Sequence, residues 1–160
     1  MSARVLDPSA LASSFRAEVR RAVATLGEPL TLAGFLVEGH GPSMTYAEYT
    51  RRGCEDVGIR FDLRVHPAHA VEQAVRETGS DPNVHGVLIY YPVNGQDDDR
   101  WLREIVDPRK DVEGLHSFWT HCLYENRRFV DSARTKRAIL PCTPLAVLKL
   151  LEESGVHQGE

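Results

Sequence analysis

The sequence predicts an α/β domain of three layers, a mostly parallel sheet of about four strands flanked by helices. Two observations carry that expectation. Stretches with helical period alternate with stretches of strand character along the whole chain. Two of the strand stretches, Leu30–Val37 (LTLAGFLV) and Val84–Tyr91 (VHGVLIYY), are almost wholly apolar, as strands buried on both faces must be.

The first helix is expected to start at Asp7, a capping residue, with Pro8 in its first turn. Leu11, Phe15, Val19 and Val23 recur every four residues as one apolar stripe, and Gly27 ends it. The strand Leu30–Val37 follows, then the loop Glu38-Gly39-His40-Gly41-Pro42. A second helix runs from about Ser43 to Val57, stopped by Gly58. Arg60–Val65 alternates, with Phe61, Leu63 and Val65 on one side, and reads as a half-buried or edge strand. A third helix fits Ala68–Thr78, closed by Gly79, and the strand Val84–Tyr91 is stopped by Pro92. A fourth helix fits Asp97–Val106, with Asp97-Asp98-Asp99 at the positive end of its dipole. Beyond it come a short helix near Phe118–Leu123 and a small hairpin around Arg127–Ile139. A last helix is capped by Thr143 and opened by Pro144, carries Val147, Leu148 and Leu151 on one side, and stops at Gly155.

Composition narrows the function. Hydrophobic residues make up 42% and charged residues 26% of the 160 residues, values of a soluble globular domain. Basic residues number 19 against 23 acidic ones, a formal net charge of −4, which speaks against general nucleic-acid binding. No apolar run is long enough to span a membrane, and the N-terminus lacks the apolar core of a signal peptide. Three cysteines without CxxC spacing argue for a reducing compartment, the cytoplasm. The seven histidines form neither HxH nor HExxH, so no metal site is expected.

Several loci can carry chemistry. Gly39-His40-Gly41 follows a strand, but Met44 stands where GxGxxG needs its third glycine, so a dinucleotide fingerprint is missing. Tyr46 and Thr50 lie four apart on one helix face, near the C-terminal end of the preceding strand, where open α/β sheets bind ligands. Tyr90 and Tyr91 point to opposite faces, one toward a cleft and the other onto a helix, or both into packing. Asp111 and Glu113 flank a valine in a loop; a carboxylate there matches an amidine-like N–H edge, and a solvated turn is the plainer alternative. Cys142 sits at a helix N-terminus, where a thiolate is stabilised, but a nucleophile needs a positioned base.

In chain order, Ser43-x-x-Tyr46, Asp81-Pro82-Asn83-Val84-His85-Gly86-Val87-Leu88, Lys110-Asp111-Val112-Glu113-Gly114 and Leu140-Pro141-Cys142-Thr143-Pro144 resemble the methylenetetrahydrofolate dehydrogenase/cyclohydrolases. The likeness runs from about Leu6 to Gly155 and covers the first half of a typical member. It implies a folate-binding catalytic domain over residues 1–160. Tyr46 would stack near the aminobenzoate of tetrahydrofolate. Tyr90 stands where bifunctional members have glutamine, and Pro92 would shape the cleft floor. Glu113 stands where many members have an aspartate that holds the pterin, and the turn Pro141–Pro144, with Thr143, would line the interdomain cleft.

Thr50 replaces the lysine that serves the cyclohydrolase step. With Tyr90, Glu113, Tyr91-Pro92-Val93 and Leu145-Ala146, it gives the chain most likeness to the monofunctional NAD-dependent dehydrogenases of yeasts. Arg51 lies about 100° around the helix from position 50 and does not substitute. The implied reaction oxidises 5,10-methylenetetrahydrofolate to the methenyl form with NAD or NADP, without cyclohydrolase. Catalytic roles fall to Tyr46 and Thr50, and substrate contacts to Tyr46, Tyr90, Pro92, Glu113, Pro141 and Thr143. The family's Rossmann domain and its last helix are not in this chain, so a separate or removed Rossmann domain is an expected partner. The isolated chain is expected to be inactive, and a homodimer through the exposed surface is a further expectation. A non-catalytic folate-binding module, or an interaction protein that kept the fold, are the alternatives.

Overall fold

The computed structural model describes residues 5–39, 41–95 and 98–156, and of Asp98 only the backbone. In chain order the elements are α1 (Ser9–Leu26), β1 (Thr31–Val37), α2 (Gly41–Val57), β2 (Arg60–His66), α3 (Ala68–Gly79), β3 (Gly86–Ile89), α4 (Asp98–Ile105), α5 (Ser117–Tyr124) and α6 (Cys142–Glu153). The sheet is wholly parallel, in the order β2-β1-β3. The register runs from Thr31 opposite Arg60 to Val37 opposite His66, and from Leu32 opposite Gly86 to Phe35 opposite Ile89.

The sheet thus has three described strands rather than about four. What remains of a fourth is a single parallel bridge between Val87 and Asp111, where the Val87 N–H donates to the Lys110 carbonyl at 2.7 Å. The ladder stops there because the Asp111 carboxylate folds the following backbone onto itself. It accepts from the N–H groups of Glu113, Gly114 and His116 at 2.9–3.0 Å. β3 is also shorter than its apolar run. The Tyr90 N–H still donates to the Phe35 carbonyl at 2.9 Å, and Pro92, reached through a cis peptide bond, has no N–H to continue the pairing.

The chain moves from β1 through α2 to one neighbour, then through α3 back across β1 to the other. α2 rests on β1 and β2, and α3 on β1 and α4; reversing direction with right-handed crossovers puts these helices on opposite faces. Alternate residues of β1 serve the two layers. Ala33, Phe35 and Val37 join Val71, Val75, Leu102 and Val106 in the main core, whereas Leu36, also buried, faces the other way. Gly34 shares the Leu36 side. A Cβ there would lie 2.6 Å from the Phe61 ring and 3.2 Å from the Tyr90 ring, so glycine lets both rings close over the central strand.

Several boundaries differ from the sequence expectation. α1 starts at Ser9, not Asp7, but the Asp7 carboxylate still accepts from the Ser9 N–H at 2.9 Å. Its apolar stripe is not a core face: Phe15 and Val19 are each 41% exposed, because the described contacts of α1 are mainly with the end of α2, through Val23 near Gly58 and an Arg20–Asp56 pair at 2.6 Å. α2 begins two residues before Ser43. His40 and Asp97, of the expected loop and helix opening, lie outside the described residues. Gly79 is the last residue of α3 rather than its left-handed stop. Thr143 does not cap α6, which opens at Cys142 after Pro141 without a side-chain cap. The hairpin forms as a single antiparallel bridge between Phe129 and Arg137.

Candidate functional site

β1 feeds α2 on one face and β3 feeds α4 on the other, so the connections diverge outside the C-terminal ends of these neighbouring strands. That divergence opens the crevice in which open α/β sheets bind ligands. Thr50, in the third turn of α2, donates its hydroxyl to the Tyr46 carbonyl at 3.0 Å. Tyr46, one turn earlier, is 70% exposed, so it is not a packing tyrosine. Tyr90 leaves β3 on the α2 face, beside Thr50, Cys54 and Glu113. Its hydroxyl is buried and makes no hydrogen bond of good geometry among the described residues; burial pushes its pKa above the ordinary tyrosine value, and the nearby Thr50 hydroxyl pulls it back. Tyr91 takes the opposite face, packed against the main core with the Arg103 guanidinium 5.3 Å from its ring centre.

Glu113 enters the crevice from the loop after Asp111. The Ile89 N–H reaches its Oε2 at 3.5 Å, and no cation pairs with it among the described residues. Burial pushes its carboxyl up to about 7; the Ile89 N–H pulls it down, Asp111 pushes it further up and Arg103 pulls it down. The two carboxylates of this loop therefore have separate roles. Asp111, 4% exposed, is spent on its own backbone, and Glu113 keeps acceptor capacity for something else. Neither belongs to a solvated turn.

The loop is locked to the start of α6. Gly114 has φ +67°, and a Cβ on it would lie 3.1 Å from backbone atoms of Leu140 and Pro141. Cys142 donates its thiol to the Val112 carbonyl at 3.3 Å. Burial, then Glu113 and Asp111, push that thiol up, so the expected thiolate stabilisation at the helix start does not arise. Thr50, Tyr90, Glu113 and Pro141 are thus gathered, with Tyr46 at the rim. Pro92 and Thr143 are exposed, and the Thr143 side chain makes no hydrogen bond among the described residues.

The expectation that Arg51 does not substitute at position 50 agrees with its surroundings. Arg51 is held by Glu48 at 2.7 Å and by Glu55, and Arg52 by Glu48 at 2.9 Å, on the outer side of α2 and away from Thr50. Sequence reasoning missed two residues that shape the crevice. Asp99, 3% exposed, accepts from the Val93 and Asn94 N–H groups at 2.8–3.2 Å and ties the turn after Pro92 to α4. Its place in an acidic run signalled only a helix start. Arg103 lies over the Tyr91 ring from α4 and acts on Glu113 through its charge, without pairing with it, and nothing in its local sequence marks it.

A nicotinamide dinucleotide does not fit the turn after β1. Gly39 is left-handed at φ +82°, but Met44 occupies the position where a third glycine would let the helix close up, and β2 ends at His66 rather than an acid. Among the described residues no cluster of three or more His, Cys, Asp or Glu gathers as for a metal, and no helix is long and apolar enough to cross a membrane.

Residues 6–113 match the model of the tetrahydrofolate dehydrogenase/cyclohydrolase catalytic domain. The chain belongs to this family. It is 37% identical to the NAD(+) methylenetetrahydrofolate dehydrogenase of Schizosaccharomyces pombe, over 98% of this chain and 49% of that one. It is 36% identical to the bifunctional protein FolD of an Azoarcus species, over 98% and 53%. The structure of the NAD-dependent 5,10-methylenetetrahydrofolate dehydrogenase of Saccharomyces cerevisiae superposes with a TM-score of 0.86 at 35% identity, covering 92% of this chain and 49% of that one. The chain spans about half the length of the relatives it matches. Its α/β fold is that of the family's catalytic domain.

Proposed function

We propose that this chain is the folate-binding part of a methylenetetrahydrofolate dehydrogenase, oxidising 5,10-methylenetetrahydrofolate to 5,10-methenyltetrahydrofolate with NAD or NADP as acceptor. Glu113 is the observation that supports it best: a desolvated carboxylate with one backbone donor and no ion-pair partner among the described residues, at the switch point of the sheet. A pterin presents adjacent N–H donors, and a carboxylate accepts such a pair in parallel. Tyr46 offers its exposed ring to the flat aminobenzoyl group. The Tyr90 ring, beside Thr50 and Glu113, forms a wall of the cleft, with Pro92, Pro141 and Thr143 bounding it. These groups orient the substrate, and orientation is the main requirement of hydride chemistry. The dinucleotide is held by a unit outside these residues, since the turn after β1 does not fit it.

Hydrolysis of the methenyl product also needs an activated water and managed protons. Thr50, already donating to the Tyr46 carbonyl, supplies no amine, and Arg51 is tied up with glutamates. The reading is therefore dehydrogenase without cyclohydrolase. Hydrolysis of methenyltetrahydrofolate by the complete enzyme at a rate like that of bifunctional relatives would refute this part. An interaction protein that had lost its site would have tucked Tyr46 inward, whereas Tyr46 is exposed.

The test is calorimetric titration of a stable reduced-folate analogue into the chain and into Tyr46→Ala and Glu113→Ala. Saturable binding that both substitutions weaken supports the reading. Binding indifferent to both would remove it.

A further inference from the structure

Arg103 is half-buried on α4, and its Nε is buried without a hydrogen-bond partner. Asp99 stands four residues before it and Asp107 four residues after it, the spacing at which helical ion pairs form. Both are engaged elsewhere. Asp99 accepts from the Val93 and Asn94 N–H groups at 2.8–3.2 Å, and Asp107 holds Arg109 at 2.6 Å. The neighbouring Glu104 accepts from the Ser117 N–H at 3.1 Å and from its hydroxyl at 2.6 Å. Arg103 enters no ion pair among the described residues. Its guanidinium lies instead 5.3 Å from the Tyr91 ring centre. A permanently charged group, drawn partly out of water onto a ring while its ordinary partners are taken, calls for a role other than a helix ion pair.

Tyr91 sets where that charge sits. Glu113, Arg103, Asp99 and Asp111 all act on the Tyr91 hydroxyl, and Glu113 meets the same strand end, where the Ile89 N–H reaches its Oε2 at 3.5 Å. The titratable groups that face Glu113 are Asp111 on its own loop, Tyr90 and Tyr91 after β3, Cys142 at the start of α6 and Arg103 on α4. Burial pushes both tyrosine hydroxyls and the Cys142 thiol up, so these three are uncharged at neutral pH. Asp111 has the same sign as Glu113. Arg103 is the one counter-charge in this set. A cation in direct contact would occupy the carboxylate oxygens that a ligand needs. With no cation, a buried carboxylate beside Asp111 would take up a proton rather than stay charged. A guanidinium held at one remove by the Tyr91 ring avoids both.

We propose that Arg103 is a positioning residue of the crevice: seated on the Tyr91 ring, it supplies the counter-charge that lets Glu113 receive a substrate N–H edge as an open carboxylate. The proposal rests on the folate reading of Glu113 and adds the group that keeps this acceptor charged.

The test follows the Glu113 carboxyl carbon by NMR as pH is varied, in the full 160-residue chain, its signal identified by its loss in Glu113→Gln. Arg103→Gln, Arg103→Met and Arg103→Lys are compared, each checked for native near-ultraviolet circular dichroism. Two neutral replacements are used so that misfolding of one leaves the other. The Glu113 midpoint is expected to rise by about half a pH unit or more in both neutral variants and to return in Arg103→Lys. Calorimetric affinity for a reduced-folate analogue should then fall about threefold at about pH 6 and hardly change at about pH 8.5, where Glu113 is ionised in every variant. A midpoint unmoved within about 0.1 pH unit, or Arg103→Lys behaving like the neutral variants, would overturn the proposal. So would an affinity loss equal at both pH values, the mark of a purely structural role. A moved midpoint in chains that bind no analogue at either pH would uphold the action of Arg103 on Glu113 and remove the folate reading instead.

Discussion

Replacing Glu113 by glutamine should change how stability depends on pH. The native carboxyl titrates at about 7 against an ordinary value of 4.5. Below about pH 4.5 both folded and unfolded states hold the proton, and the residue imposes no penalty. Between about 4.5 and 7 the unfolded chain ionises while the native one keeps its proton, so stability falls as pH rises through this window. Above 7 both states are ionised and the penalty is constant. At about 1.4 kcal/mol per pH unit, the gap corresponds to about 3 kcal/mol, and to about 2 kcal/mol once solvent screening of the partly exposed side chain is allowed for. Glutamine keeps the shape and cannot ionise. Urea unfolding of both proteins from pH 4.5 to 8 isolates the effect, because every other titrating group is common to both. The stability difference should move by about 2–3 kcal/mol in favour of glutamine across that range. A difference constant within about 0.5 kcal/mol would refute the desolvated carboxylate, and with it the argument that Glu113 is held ready for a donor-bearing ligand.

The same carboxylate must be ionised to accept a pterin edge, so affinity for a reduced-folate analogue should rise about tenfold between pH 6 and 8, and calorimetry should show this dependence vanish in Glu113→Gln. Tyr46→Ala should leave urea stability within about 0.5 kcal/mol, as expected for an exposed side chain, while weakening the analogue by about 0.5–1.5 kcal/mol. Gly114→Ala should cost about 1–3 kcal/mol in thermal or urea unfolding, from a left-handed backbone and a collision with the Leu140–Pro141 peptide. Asp111→Asn should cost about 2 kcal/mol by the same assay, since one amide oxygen cannot replace a carboxylate serving three N–H groups.

Which faces the candidate residues occupy was legible from spacing, whereas their choice as a site came from the family resemblance. Tyr46 and Thr50 share a helix face because α2 is regular, and Tyr90 and Tyr91 split to opposite faces because strand residues alternate. The roles of Asp111 and Glu113 were not separable by spacing, since both sit in one short loop. Burial and backbone direction gave one to structure and left the other free. The thiol of Cys142 was misjudged because a helix start stabilises a thiolate only where solvent and cations allow. Here the thiol is largely desolvated, donates to the Val112 carbonyl and lies in the field of two carboxylates.

Alternating period, apolar runs and glycine stops are local properties, and they determine the kind and order of the elements without any knowledge of their neighbours. That is why β1, α2, β2 and α3 were readable to within two residues. The number of strands, the exposure of α1 and the duty of each carboxylate depend on what lies opposite in space. An apolar stripe becomes core only where another surface covers it. A ladder continues only while its backbone groups remain unclaimed. A carboxylate is ready for a ligand only if no nearby N–H or cation has already satisfied it. Those facts are pairwise and long-range, and they were decided when the fold brought residues 86–90, 111–114 and 140–142 together.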